Sequence, residues 1–371
     1  MNNQDNSQVS VLQYDPHIIP AESAARHQRE GKHFCHTPPK QADSTLLHTT
    51  DGYTVDREGL LNNYAIELYS KPMCLTISPA YGQTPAASTL QHKRNTISPA
   101  LETLGVPELV RTRCATDGTN VYTEWSGSVY AFVPQQQQQK LFNIIGMNVA
   151  RCQQSQQGQW FLTSRELTFY LDPQTNQVLD RWKNPCTGEV VPVVHVANNP
   201  VQNTFEGESP VQVTGKTVIF SLDIPLTYPN VLANDPKFRD YSPQPLYQAG
   251  EFFKFTVPVR EVINPALATA PDVTGSWMRI GPWLPWMKMK DQPGQLVYSA
   301  TIRKLLHFEE LSPFFQQEIT SRLPVYKEAP HCFLAVKNQT SWTYFQQNFA
   351  AYLEGAQFPL PEQQTDPPCR Q

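Results

Sequence analysis

Two stretches of the chain carry side chains suited to chemistry. In the first, His195 follows Val191 and Val193 at a spacing of two, so on a strand the three share one face. An imidazole titrating near its ordinary value of about 6.5 exchanges protons at neutral pH, and Glu166, Asp180, Arg181 and Glu189 stand on neighbouring runs as its candidate partners. The catalytic reading places His195 with Glu166 and Asp180 as acid and base, and Arg181 against the substrate. The plainer alternative is a hydrogen-bonded structural histidine. In the second stretch, Arg279 lies between Trp277 and the run Trp283-Leu284-Pro285-Trp286-Met287, with Tyr298 on the next run. A guanidinium flanked by aromatic rings seats a flat apolar ligand by its carboxylate or carbonyl, provided Trp283 and Trp286 are accessible rather than packed in the core.

Other constellations are weaker. Asp172 and Asp180 both flank a turn, where aspartate serves conformation. His33-Phe34-Cys35-His36 has no second ligand cluster at metal-binding spacing, so no metal site is expected. The chain has no Gly-x-Gly-x-x-Gly after a strand, no phosphate-loop Gly-Lys-Ser/Thr, no Gly-x-Ser-x-Gly and no His-Glu-x-x-His, so nucleotide, flavin, serine-hydrolase and zinc-protease chemistry lose support and no cofactor is expected.

The elements that must position these residues are mostly strands. From about 119 onward, Val121, Tyr122, Trp125, Val129, Tyr130, Phe132 and Val133 supply β-branched and aromatic residues. Gln135 to Gln139 then fits a hairpin tip before the run 141–149. A meander follows: 165–171, a turn at 172–177, 178–183, a turn at 184–188, and 189–196, with Pro, Asn, Asp and Gly at the reversals. Further strands are expected at 211–222, 251–259, 276–280 and 295–302. Helices are expected over about 56–70, where Leu60, Leu61, Tyr64, Ala65 and Leu68 have helical spacing, and over about 99–112. Another begins at Ser312-Pro313, and one from Ser341 sets Trp342, Phe345, Phe349 and Tyr352 on one face with Gly355 as its stop. Trp125 and Trp182 are expected in the β core.

Residues 1–50 read as a flexible polar extension, 51–115 as a helical N-terminal segment, 116–355 as the main β-rich domain and 356–371 as a polar tail. An apolar fraction of 40% over 371 residues suffices for a sizeable core. The net charge of −4, with no basic cluster longer than His92-Lys93-Arg94, argues against nucleic acid as a partner. No stretch approaches the roughly 20 apolar residues of a membrane helix, and the N-terminus lacks an export signal, so no membrane contact and a cytoplasmic location are expected. Seven widely spaced cysteines without Cys-x-x-Cys then read as reduced thiols, and Asn338-Gln339-Thr340 as a glycosylation acceptor in form only.

Several ordered motifs carry a resemblance: Glu124-Trp125-Ser126-Gly127-Ser128-Val129-Tyr130; Tyr170-Leu171-Asp172-Pro173, Asp180-Arg181-Trp182, Asn184-Pro185 and Thr187-Gly188-Glu189; Val194-His195-Val196-Ala197-Asn198 with Pro200-Val201; the Trp283 to Met287 block with Pro293-Gly294-Gln295-Leu296-Val297-Tyr298; and Ser341-Trp342-Thr343-Tyr344-Phe345. Together, over about 119–355, they resemble a domain-of-unknown-function family of bacteria and fungi, which implies no particular chemistry. Cys186 stands where that family's turn is expected to hold an aromatic residue.

The fold expected is α+β and mostly antiparallel β, a curved sheet or lipocalin-like barrel flanked by helices. The function expected is binding of a small apolar or aromatic molecule in the sheet's concavity, with or without cofactor-free acid and base chemistry such as isomerisation, dehydration or cyclisation. A non-catalytic carrier would have a deep pocket without a titratable cluster. A structural or partner-binding protein would have a filled interior and an exposed apolar patch. Oligomeric state is left open.

Overall fold

The computed structural model describes residues 101–361 and 366–370, together with three short strands nearer the N-terminus. The chain divides into two units, Met1–Lys93 and Arg94–Gln371. In the first unit, β1 (His48–Thr50), β2 (Tyr53–Val55) and β3 (Leu61–Asn62) form an antiparallel sheet in the order β1-β2-β3. The expected helix over 56–70 is therefore a strand at Leu61 and Asn62, which pair with Val55 and Thr54. Its other residues, most of the polar extension, and the His33 to His36 cluster lie outside the described residues.

The second unit is mostly antiparallel β. A strongly curled half-barrel of ten strands among the described residues carries a few short helices. Its strands are β4 (Leu101–Leu104), β5 (Val121–Phe132), β6 (Gln139–Gln154), β7 (Trp160–Leu171), β10 (Val196–Phe205), β11 (Ser209–Thr214), β12 (Thr217–Pro229), β13 (Leu246–Pro258), β14 (Thr274–Gly281) and β15 (Gln295–Leu305). They run in the order β10-β7-β6-β5-β15-β14-β13-β12-β11-β4, so β10 and β4 are edges and the sheet is curved but open. The curved-sheet alternative is the correct one. A separate hairpin, β8 (Arg181–Lys183) with β9 (Val190–Pro192), stands apart from this sheet.

Strand alternation assigns the two faces of the sheet. On β7, Leu162, Ser164, Glu166, Thr168 and Tyr170 face the concave side, while Arg165, Leu167 and Phe169 are buried against the convex side. There Phe169 meets Phe314 and Phe315 of α3 (Pro313–Ser321) at ring separations of 5.0 and 6.0 Å. Arg165 ties the same face to the C-terminal segment, donating to Asn199 Oδ1 at 2.9 Å and pairing with Asp366 and the Glu328 carbonyl. On the concave side, Phe142, Tyr170, Trp182 and Trp286 form a ring cluster with centroids 5.2 to 5.9 Å apart. Trp125 and Trp182 are both buried, as their aromatic, β-prone surroundings imply.

Local chemistry explains where the elements differ from the sequence-based expectation. Of residues 99–112, Leu101–Leu104 pair with Ser209–Gln212 as strand β4, and the helix α1 spans Val106–Arg113, because Gly105 interrupts and Pro107 fits only a helix's first turn. The single run expected over 211–222 is a β11–β12 hairpin reversing at Gly215, whose φ of +61° suits glycine. The Gln135 to Gln139 tract does turn between β5 and β6. The C-terminal helix is two pieces, α4 (Ser341–Gln347) and α5 (Phe349–Leu353), and Thr340 caps it by accepting from Thr343 N. α2 is a single turn, Val259–Val262.

Two disulfides, Cys114–Cys152 and Cys332–Cys369, correct the reading of these cysteines as reduced thiols. Wide sequence spacing hid them, because the curl of the sheet and the return of the C-terminal segment bring each pair to a Cα separation of 5.7 Å. Cys186 is free and exposed; its turn is held instead by Asn184, whose Oδ1 accepts from Cys186 N at 2.8 Å.

Candidate functional site

The concave side encloses a cavity of about 560 Å³, within the usual range for small-molecule sites. Register builds its wall in rows. One row is polar: Thr123 on β5 pairs with Asn148 on β6, Asn148 with Glu166 on β7, and Glu166 with Asn198 on β10. A second row is apolar, with Leu222 on β12 beside Phe253 on β13 and Phe253 beside Trp277 on β14. A third sets Glu251 on β13 beside Arg279 on β14 and Arg279 beside Tyr298 on β15.

Small residues make room for the rings. Trp125 lies opposite Gly146, and a Cβ on Gly146 would meet the indole at 2.1 Å. Trp277 pairs with Ala300, itself opposite Gly127. The two indoles meet edge to face at 6.3 Å, and Phe253 stacks beside Trp277 at 6.3 Å. Trp125 Nε1, Trp277 Nε1 and Asn198 Oδ1 are buried without a hydrogen-bond partner among the described residues, an uncommon state for buried polar atoms.

The charged groups lining the cavity are Glu166, Glu251, Arg113 and Arg279. Arg279 is compensated on every side: it donates to Tyr247 Oη at 2.5 Å, pairs with Glu251 at 3.3 Å and lies 5.1 Å from the Tyr298 ring centre. Its pKa is raised above the ordinary arginine value, burial being outweighed by these neighbours. Burial and the Glu251 charge push Glu166 up to about 7, against the opposing pull of Asn198, Arg279 and Arg113. Glu251 is likewise raised by burial, with Arg279 and Arg113 opposing. Tyr170 and Tyr298 share a hydroxyl contact of 3.4 Å at the cavity wall, and Tyr228 and Tyr247 stack at 4.5 Å.

Of the residues given catalytic or substrate-binding roles from the sequence, the cavity gathers Glu166, Arg279 and Tyr298, together with Trp277 and Leu284 from the aromatic stretch around Arg279. His195 is not among its lining residues. The chain leaves strand geometry after Pro192, so the alternation through Val193 and His195 does not hold, and Val193, Val194 and His195 are all buried. The imidazole Nδ1 accepts from Tyr170 N at 3.1 Å, taking the place of a ladder carbonyl beyond the start of β10. It packs 4.8 Å from the Phe169 ring, and burial drives its pKa down to about 3, which leaves it neutral. The expectation that His195 lines the cavity is therefore corrected. Asp180 and Arg181 are exposed on the β8–β9 side, Asp180 accepting from Gln357 at 3.1 Å. Trp283 and Trp286 are core residues, with Trp283 Nε1 donating to the Gln292 carbonyl at 3.0 Å.

Sequence reasoning missed Arg113, Glu251 and the row asparagines as site residues. Glu251 had a readable signal, a carboxylate abutting the apolar run Phe252-Phe253 on an expected strand. Arg113, at the end of a helix, had none. Among the described residues, one grouping brings metal-ligand atoms close together, His331 with Cys332 and Cys369; its two sulfurs are bonded to each other, so neither is a thiolate ligand. No described helix is long and apolar enough to cross a membrane.

Fold and site together define a curled antiparallel half-barrel with an internal cavity that combines indole rings and buried charge. The chain belongs to a family described as a protein of unknown function (DUF1838), whose model matches residues 118–349. That span holds every residue lining the cavity except Arg113. No curated protein matches the chain.

Proposed function

We propose that this protein binds a small, flat aromatic molecule in the half-barrel cavity, with Glu166 placed to exchange a proton with it. The observation that carries this reading is the meeting, in one cavity, of an indole wall, Trp125 and Trp277, with a polar row centred on Glu166. A carboxyl group that titrates near neutrality beside such a ligand suits general acid or base work, and it takes the role expected of His195. A cavity with a titratable cluster also weighs against a purely structural role.

The test of binding is titration of the full chain with 2-naphthamide, followed by quenching of tryptophan fluorescence. Saturable quenching is expected, at least tenfold weaker in Trp277→Leu; the absence of saturable quenching would defeat the reading. Native mass spectrometry of protein purified from its own source is expected to show a co-purifying small molecule. Once that molecule is known, Glu166→Gln separates enzyme from carrier: a carrier keeps its affinity and has no turnover to lose, whereas general acid or base work predicts a turnover loss of about 10²–10⁴-fold.

A further inference from the structure

The two cavity arginines are held very differently. Arg279 has a carboxylate, a phenol and a ring around it, whereas the Arg113 guanidinium lies 4.7 Å from the centre of the Phe255 ring and 5.7 Å from that of Phe253. No hydrogen bond or ion pair reaches the Arg113 side chain among the described residues. Burial lowers its pKa to about 10, so it is still a cation at neutral pH.

Its backbone is nevertheless firmly fixed. Arg113 is the last residue of α1, and the next residue, Cys114, is bonded to Cys152 on β6. Lys304 Nζ donates to the carbonyls of Arg111 at 2.7 Å and Cys114 at 3.0 Å, and Thr269 closes the same corner. The neighbouring Arg111 is paired, with Nε on the Val262 carbonyl at 2.8 Å and Nη2 on Glu108 at 2.5 Å. A rigid mount around a single unpaired cation that faces a cavity is the arrangement of a preorganised anion site.

We propose that Arg113 is the anion anchor of this cavity and that its ligand is a flat aromatic or conjugated monocarboxylate. The inference rests on the small-molecule reading above and deepens it. The guanidinium fork matches a carboxylate in two parallel hydrogen bonds. The stacked rings Phe255, Phe253 and Trp277 lead from that fork along the wall, so a planar body attached to the carboxylate lies against them. Charge selects a monoanion: Arg279 is balanced by Glu251, which leaves one unpaired positive charge when Glu166 is protonated. A dianion such as a phosphate monoester would bring surplus negative charge to a wall already carrying two carboxyl groups.

The full chain should be titrated calorimetrically at pH 6 with 2-naphthoate and with its neutral isostere 2-naphthamide. Naphthoate is expected to bind at least tenfold more tightly. Arg113→Gln is expected to remove most of the preference for naphthoate, weaken the amide far less, and not lower the melting temperature, because an uncompensated buried charge is removed. Arg113→Lys should retain part of the preference, and this variant and the wild-type ligand pair decide the matter if Arg113→Gln does not fold. Equal affinities in the wild type, or equal weakening of both ligands in Arg113→Gln, would overturn the anion site while leaving the cavity reading intact. Failure of both ligands to bind the wild type would remove the cavity reading, and this inference with it.

Discussion

Replacing Glu166 with glutamine keeps the shape and hydrogen-bonding reach of the side chain and removes its titration. In the native protein this carboxyl group is pushed from an ordinary 4.5 up to about 7 by burial and by Glu251. A folded-state pKa above the unfolded value means that the native state holds the proton more tightly. The contribution of this group to wild-type stability is therefore greatest below about pH 4.5, declines as pH rises, and is fully lost once the pH passes about 7. At about 1.36 kcal/mol per unit, the gap between 4.5 and about 7 is worth roughly 3 kcal/mol. Burial is the largest cause of the shift; Glu251 adds to it, Asn198 on the flanking strand, Arg279 and Arg113 of α1 oppose it, and Asn148 is the register neighbour on β6. Glu166→Gln should thus exceed the wild type in stability by about 1 kcal/mol or less at pH 5 and by about 3 kcal/mol at pH 8. Urea unfolding midpoints of the ligand-free proteins, measured across that range, give the answer directly. An offset that does not change with pH would mean that Glu166 titrates at its ordinary value, and the buried-acid argument would fail.

Four further outcomes follow from the same geometry. Trp182→Ala removes a ring packed against Phe142 and Trp286 and should cost about 3–5 kcal/mol by denaturant unfolding; a near-neutral midpoint would place that ring outside the core. Gly146→Ala puts a methyl group where the Trp125 indole lies, so tryptophan fluorescence and naphthamide affinity should both change, and an unaltered variant would contradict the seating of the ring. Non-reducing digestion should yield the cross-linked pairs Cys114–Cys152 and Cys332–Cys369, and Cys114→Ser with Cys152→Ser should lose about 3–4 kcal/mol; recovery of these four residues as free thiols would count against both bonds. The affinity for 2-naphthoate should fall as pH rises through about 7, where Glu166 gains its charge, while that for 2-naphthamide stays level; parallel profiles would separate Glu166 from the anion site.

Periodicity and turn chemistry carried the sequence a long way. The β-rich unit, the hairpin at Gln135 to Gln139, the burial of Trp125 and Trp182, the start of α3 at Pro313 and the helices from Ser341 were all readable, because each depends on residues close together in the chain. Glu166, Arg279 and Tyr298 line the cavity, and the sequence offered them as candidates, Glu166 as a partner for His195 and Arg279 for its place among tryptophans. What the sequence could not supply was the partner of each group. His195 looked catalytic while the run 189–196 was taken as one strand; the break after Pro192 turned it into a core residue bonded to Tyr170 N. Arg113 looked like any basic residue at a helix end until the curl of ten strands brought Phe253 and Phe255 beneath it and left its guanidinium unpaired. The cysteine pairs stand 38 and 37 residues apart, so only the path of the sheet and the C-terminal return could join them. Local propensity acts through near neighbours, whereas a cavity, its charge balance and its cross-links are sums over strands distant in sequence. The tertiary structure alone performs that sum.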